Sequence, residues 1–466
     1  MLKNDFSDTI VALSTPAGVG AIGVIRLSGL KSIEIVNAIF KGKNLLEQPS
    51  HTIHLGKLVD NQQMIDEVLI SLFLGPSSYT KENVVEISCH GSPYIQQKII
   101  QALIDKGARS AKPGEFTQRA FLNGRFDLSQ AEAVADIIAS DSEAAHKIAI
   151  QQMRGGISTK LKELRTSLVD FTALIELELD FGEEDVEFAD RTKLNELLYQ
   201  IQHEIATLSS SFKYGNAIKN GIPVAIVGKP NAGKSTLLNA LLNEERAIVS
   251  NIAGTTRDTI EETLTIDGFL FRFIDTAGLR EAKDEIEKIG IERSKEKIAQ
   301  AEIVLYLFDY HEMSPEDVFV DITKLQLNPK KTILIANKTE DMKEGGSRKY
   351  NDVFDGFNFK HYLFISAKEM REVEKKWLKD ELLKVLNYDT ANQNQLIITN
   401  QRHYEALQKS QQAIEEVLQK LQQNISSDFI SQDIKTALRH LGEITGEIDI
   451  DKDILATIFG KFCIGK

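Results

Sequence analysis

The sequence predicts a multidomain chain of α/β and all-α parts: an N-terminal α+β domain, a discontinuous helical bundle, and an inserted domain with a mainly parallel sheet. Three observations predict it. Residues 222 to 242 join an apolar strand, a glycine-bearing turn and an apolar-periodic helix. Residues 129 to 210 and 398 to 460 carry apolar side chains at helical spacing. Residues 1 to about 120 alternate short strand-like runs with helical ones.

A length of 466 residues suits about three domains, and 42% hydrophobic with 26% charged residues is ordinary soluble composition. The apolar runs are short and interrupted, so neither a signal peptide nor a membrane span is expected, and the expected place is the cytoplasm. Cys89 and Cys463 are too few for a disulfide framework and too isolated for a zinc cluster. A net charge of −13 argues against a broad nonspecific nucleic-acid face, while leaving room for a local basic patch.

In the first expected domain, residues 1–121, strands are read at Asp8 to Leu13, Ala21 to Leu27, Val68 to Phe73 and Val84 to Ile87, and helices near 31–40 and 93–106. Arg26, Glu86 and His90 are polar residues in or beside those apolar strands. Burial without a partner costs several kcal/mol, so they either sit exposed on an edge or pair with one another. Pro113 to Thr117, followed by Arg119 to Arg125, reads as a turn, a helix and a loop. On composition alone it is an ordinary connector.

The second expected domain, 122–216, is helical, with Ala131, Val134, Ala135, Ile138 and Ala139 and then Leu161, Leu164, Leu168, Phe171, Leu174 and Ile175 recurring on one face. The acid run Gly182-Glu183-Glu184-Asp185 marks a solvated break. The last stretch, 386–466, is helical again, with Ile414, Val417, Leu418 and Leu421 on one face. The simplest arrangement packs the two helical stretches together and makes residues 217–385 an insertion.

The insertion carries the chemistry. The strand Ile222 to Val227 runs into Gly228-Lys229-Pro230-Asn231-Ala232-Gly233-Lys234-Ser235-Thr236. Small residues let backbone N–H groups point inward, and the next helix adds its N-terminal partial charge, so the turn wraps a phosphate. Lys234 is placed to reach the β- and γ-phosphates, and the Ser235 hydroxyl to hold Mg²⁺. Downstream, Ser250-Asn251-Ile252-Ala253 leads into Gly254-Thr255-Thr256-Arg257-Asp258, where the Thr256 hydroxyl can close on Mg²⁺. Asp275-Thr276-Ala277-Gly278 follows a strand; Asp275 can hold the metal through water and the Gly278 N–H can sense the γ-phosphate.

The strand Thr332 to Ala336 ends in Asn337-Lys338-Thr339-Glu340, and Ser366-Ala367-Lys368 follows another strand. Proteins that bind GTP place Asn-Lys-x-Asp at the first of these, its carboxylate accepting from guanine N1 and N2, and the second loop buttresses the base. Here the fourth position is Glu340, with the same acceptors one methylene further out. The ensemble predicts a Ras-like P-loop G domain. Leu279 stands where many small GTPases place the glutamine that orients water, so hydrolysis needs another source of charge and positioning.

The order Asp8-Thr9-Ile10-Val11-Ala12, PGEFTQRAFLNGR, the phosphate loop, GTTRD, DTAGLRE and terminal Cys463-Ile464-Gly465-Lys466 resembles the MnmE (TrmE) family of tRNA modification GTPases over nearly the whole length. The resemblance implies a homodimer joined through N-terminal domains. It also implies an FAD-dependent MnmG (GidA) partner, tRNA as substrate, and modification of the wobble uridine at C5. The implied one-carbon donor is 5,10-methylenetetrahydrofolate, with 5-formyltetrahydrofolate as analogue.

GTP hydrolysis in the family requires K⁺ and is driven by dimerisation of the G domains. By similarity the K⁺ ligands are the Asn231 side chain and the carbonyls of Ser250, Ile252 and Thr255, and Glu287 orients water; from the residues alone, Asn231 is a loop residue and Glu287 one charge among several. The folate positions carried over are Arg26, Glu86 and Lys466, with Arg125 where the family commonly has Lys. Cys463 is either a small buried hydrophobe or a neighbour of the folate. A GTP switch for ribosome or complex assembly without base chemistry would share every G-domain motif; PGEFTQRAFLNGR and CIGK favour the modification enzyme.

Overall fold

A computed structural model of the chain describes residues 8–180, 191–242, 262–274, 287–343, 345–386, 396–423, 425–447, 458–460, 462 and 465. It divides into two compact units. One comprises Met1–Ala139, Ala149–Ser209 and Arg402–Lys466, the other Ser140–Ile148 and Ser210–Gln401.

The first unit opens with strands β1 (Thr9–Leu13), β2 (Ile22–Ser28), β3 (Phe40–Lys41), β4 (Thr52–Asp60), β5 (Gln63–Phe73), β6 (Val84–His90) and β7 (Ala108–Ser110). They form one sheet in the order β3-β4-β5-β6-β2-β1-β7. The pairings are antiparallel except β1 with β7. Period-two alternation turns Val68, Ile70 and Leu72 of β5 and Val85 and Ile87 of β6 inward. There they meet Val36 of helix α1 (Ser32–Ile39) and Ile99 and Leu103 of α2 (Pro93–Asp105).

The expected strands and helices of this part are present. The hairpin partner β4 is not among those expected. Its turn is Asn61-Gln62, both at positive φ (46° and 64°), a left-handed turn that glycine usually marks and that here has none.

Helices α3 (Glu115–Leu122), α4 (Leu128–Ile138), α5 (Glu143–Met153), α6 (Gly156–Asp180) and α7 (Arg191–Asn220) follow. In the first unit α6 lies against the late helix Ser427–Thr445, which also meets α4. The buried stripe Leu161, Leu164 and Leu168 belongs to α6, and Ile434, Leu441 and Ile444 to the late helix. Helix Gln401–Gln422 buries Leu407, Ile414 and Val417. The helical bundle is therefore discontinuous in sequence, as its periodicity predicts. The predicted break at 182–185 lies outside the described residues.

The second unit has a sheet of β8 (Ile222–Val227), β9 (Glu262–Ile266), β10 (Phe269–Phe273), β11 (Ile303–Asp309), β12 (Thr332–Asn337) and β13 (Tyr362–Phe364). The order is β13-β12-β11-β8-β10-β9, parallel throughout except for β9 on β10. Every residue of β11 and β12 is buried, as central parallel strands covered on both faces require. Register puts Tyr306 beside Val227 and Asp309 beside Asn337, so the carboxyl ends of β8, β11 and β12 open on one edge. That edge is where open α/β sheets hold ligands. Among the described residues no helix is long and apolar enough to cross a membrane.

Candidate functional site

On that edge β8 gives way to Gly228, at φ 145°, and the turn continues through Asn231 at φ 62° and Gly233 at φ 95° to helix α8 (Lys234–Leu242). Two glycines are required by what lies behind them. A Cβ on Gly228 would stand 2.0 Å from the Leu307 carbonyl oxygen, and one on Gly233 would stand 2.2 Å from the Asn337 amide nitrogen. Leu237, Leu238, Leu241 and Leu242 anchor α8 in the core, leaving Ser235 and Thr236 exposed at its first turn.

Asn337, at the end of β12, is buried and joins two loops. Its Nδ2 donates to the Ala232 carbonyl at 2.7 Å, and its Oδ1 accepts from the Ala367 N–H at 2.8 Å. The phosphate loop and the 366–368 loop are thus fixed to a single side chain. Lys338, at φ 62°, turns its ammonium onto buried Asp309 at 2.5 Å, and that hydrogen bond raises its pKa. Glu340 is exposed and accepts from the Ser366 hydroxyl at 2.6 Å. Lys234 donates to the carbonyls of Gly228 (2.8 Å) and Lys229 (2.7 Å); burial, helped by the nearby Lys297 charge, lowers its pKa. A lysine so placed gains from an incoming anion, which would restore its preference for the charged form.

The structure therefore brings together Asn231, Ala232, Gly233, Lys234, Ser235, Thr236, Asn337, Lys338, Glu340, Ser366, Ala367 and Lys368 in one unit. The predicted positions Ser250, Asn251, Ile252, Ala253, Gly254, Thr255, Thr256, Asp275, Thr276, Ala277, Gly278 and Lys466 lie outside the described residues, as do Leu279 and Cys463. Glu287 begins the helix Glu287–Gln300, and its side chain is likewise outside the description. Sequence reasoning missed Asp309. An acid at the end of a wholly apolar strand was the available signal.

A second constellation lies in the first unit. Arg26 and Glu86 face each other across β2 and β6 and form an ion pair at 2.7 Å. His90 does not join them; its Nδ1 pairs with the buried Asp66, also at 2.7 Å. The Arg26 guanidinium lies over the Tyr79 ring, 5.2 Å from its centroid, and Arg125 lies 5.1 Å from the same centroid. Arg125 also donates to the Ser78 carbonyl. A cavity of about 530 Å³ is lined by Glu86, Arg125, Tyr79, Phe73, His51 and Lys81. It offers aromatic walls with charged groups of both signs, which suits a flat heterocycle carrying an anionic substituent. Tyr79, missed from sequence, is the ring that brings two distant arginines together.

Two further supports belong to the same unit. Arg119, in the PGEFTQR stretch, is fully buried and donates to Asp8, Glu82 and Glu115. Gly465 is seated on the end of β1: its carbonyl accepts from the Ser14 hydroxyl at 3.2 Å, and a Cβ there would stand 2.2 Å from the Leu13 carbonyl oxygen.

Comparison with known proteins adds to this geometry. Residues 128–463 match the family described as the MnmE helical domain, and residues 9–125 the one described as the GTP-binding protein TrmE N-terminus. The chain is 52% identical over 460 residues to a tRNA modification GTPase MnmE of Cytophaga hutchinsonii, covering 99% of this chain and 98% of that one. It is 55% identical over 466 residues to the protein of the same name in Flavobacterium johnsoniae, covering 98% and 99%. Among solved structures it is similar to Era bound to MgGDPNP and a 16S ribosomal RNA segment. That match has 27% identity, coverage of 41% of this chain and 66% of that one, and a TM-score of 0.27, too slight a likeness to argue from.

Proposed function

The chain belongs to the MnmE family of tRNA modification GTPases, and from that premise we propose that it is a K⁺-dependent GTPase acting on the wobble uridine of certain tRNAs at C5, together with an FAD-dependent MnmG (GidA) partner and a tetrahydrofolate one-carbon donor. It works in the cytoplasm as a homodimer. The observation that carries the GTPase part is the Asn337 side chain bonded at once to the phosphate loop and to the Ser366-Ala367-Lys368 loop, which holds a phosphate cradle and a base-reading loop in one register.

The residues fit GTP. Gly228 and Gly233 leave backbone where any Cβ would intrude, and Lys234 stands over the loop's own carbonyls. In the bound state Lys234 exchanges those carbonyls for phosphate oxygens and Ser235 offers its hydroxyl to Mg²⁺. Bound at the phosphate loop, K⁺ would supply positive charge to the phosphates as charge develops on them, which no apolar side chain such as Leu279 can give. Asn231, exposed at the tip of the turn, is the side chain to hold it.

Hydrolysis should be at least about tenfold faster in K⁺ than in Na⁺ at equal ionic strength, and Asn231→Ala should remove that preference. Equal rates for the parent in both salts would overturn the cation-assisted reading.

Arg26, Glu86 and Arg125 are the described residues to hold the folate, the aromatic walls taking its ring system and the charges its polar edge and acidic tail. The planar guanidinium of Arg125 favours a paired contact with a carboxylate where an ammonium would give a point charge. Arg26→Ala and Glu86→Ala should each weaken 5-formyltetrahydrofolate binding by about tenfold or more in calorimetry. Unchanged binding in both variants would remove the folate assignment.

A further inference from the structure

We propose that Lys81 reads the acidic tail of the folate beyond its first glutamate, making this chain selective for carriers whose tail holds several linked carboxylates. The proposal rests on the folate reading above and extends it from the ring system to the tail.

The rim of the cavity is strained. Two of its lining residues, His51 (φ 63°) and Lys81 (φ 61°), hold a left-handed backbone that residues other than glycine seldom adopt. Such strain persists only where the surroundings over-determine it, and it gathers at ligand sites. Around Lys81 the loop is closed on itself. The Ser78 hydroxyl donates to the Glu82 carbonyl, and the Glu82 N–H donates to Thr80 Oγ1 at 3.3 Å. Gly75 leaves room for the Lys81 carbonyl oxygen, since a Cβ there would stand 2.7 Å from it.

The same loop is tied to the one that carries Arg125. Asn123 Nδ2 donates to the Thr80 carbonyl at 2.7 Å, and Arg125 donates to the Ser78 carbonyl. Those two bonds join the loops without help from Lys81. The third tie is of another kind: Lys81 Nζ, exposed on the rim, donates to the Gly124 carbonyl at 2.8 Å. A neutral carbonyl is the weaker partner for an ammonium, and an arriving carboxylate would be the stronger one.

The charges of the cavity also differ in what offsets them. Arg26 is half-buried and met by Glu86, whereas Arg125 and Lys81 donate to carbonyls. The fixed fork of Arg125 suits a single carboxylate approached in its plane. Lys81 is a point charge on a flexible stem and accepts many directions of approach, as successive carboxylates on a flexible tail require.

Calorimetry on the full chain tests this, with 5-formyltetrahydrofolate carrying one glutamate and with its γ-linked triglutamate form. The parent should bind the longer tail about fivefold more tightly, and the preference should shrink as salt is raised. In Lys81→Gly the preference should fall below about twofold. Glycine adopts this backbone without strain, so the variant should unfold at no lower urea concentration than the parent, and the loss then belongs to the ammonium. Lys81→Arg, which keeps the charge, should keep most of the preference. A parent that binds both forms equally would overturn the proposal. So would a preference that survives Lys81→Gly, which would leave Lys81 as a tie between two loops. A parent that binds neither form would instead overturn the folate reading, and this proposal with it.

Discussion

Replacing Gly228 by alanine should destabilise the second unit by about 2–5 kcal/mol, the combined scale of a strained backbone and an overpacked contact. The new methyl group would sit 2.0 Å from the Leu307 oxygen and 3.0 Å from its carbonyl carbon, at a φ of 145° that side chains rarely adopt. Both opposing atoms are backbone of β11, a strand hydrogen-bonded on both sides, so no flexible side chain can yield. Gly345→Ala provides the comparison. It has a positive φ of 84° but nothing within 4 Å, and should cost about 1 kcal/mol. The chain has one tryptophan, Trp377, in the second unit, and its fluorescence during urea unfolding reports both variants. Equal midpoints for Gly228→Ala and the parent would show that β8 and β11 can part at little cost.

Glu132→Ala should cost the first unit about 3–5 kcal/mol, the usual loss when one member of a buried ion pair is removed. Glu132, on α4, accepts from Arg402 at 2.9 Å and from His403 Nε2 at 2.7 Å, and His403 is 1% exposed. Arg402 also donates to the Glu443 and Ile444 carbonyls near the end of the late helix. Burial alone would raise the Glu132 pKa. His403 and Arg402 outweigh it and bring the carboxyl from its ordinary 4.5 to about 2.

A depressed carboxylate stabilises the fold above its unfolded pKa and loses that contribution as pH falls through the folded one. The difference in stability between the parent and Glu132→Gln should thus shrink as pH falls from about 4.5 to 2. Circular dichroism reports the helices of both units and Trp377 fluorescence the second alone, so comparing the two transitions isolates this unit. A difference that does not change with pH would mean that Glu132 contributes by packing alone.

The phosphate loop was legible because its glycines, lysine and hydroxyl stand within eight residues between a strand and a helix. Asn337, Glu340 and Ser366 were legible for a similar reason, each closing an apolar strand. The Glu132 cluster was not. Its partners Arg402 and His403 lie 270 and 271 positions from Glu132, and nothing local to any of them announces a match. Arg119 was hidden differently. PGEFTQR reads as a plain connector until the fold places Asp8 and Glu82 beside it. The pairing of Arg26 with Glu86 was one of two readings the sequence left open, and the fold selected it, while His90 found Asp66. What short-range pattern cannot carry is the identity of a polar partner, since only the closed sheet and bundle bring such groups within reach.

The seat of Gly465 against Leu13 and Ser14 has a consequence for biosynthesis. β1 leaves the ribosome early, and the hydrogen bond from Ser14 joins residues 451 positions apart. Through most of translation the nascent N-terminal sheet must hold its shape without that contact, relying on β2, β7 and the helices made soon after. The stretch that completes it is then added from outside to a surface already folded. A chain stalled after β7 and before that point would carry all seven strands with the C-terminal seat still open.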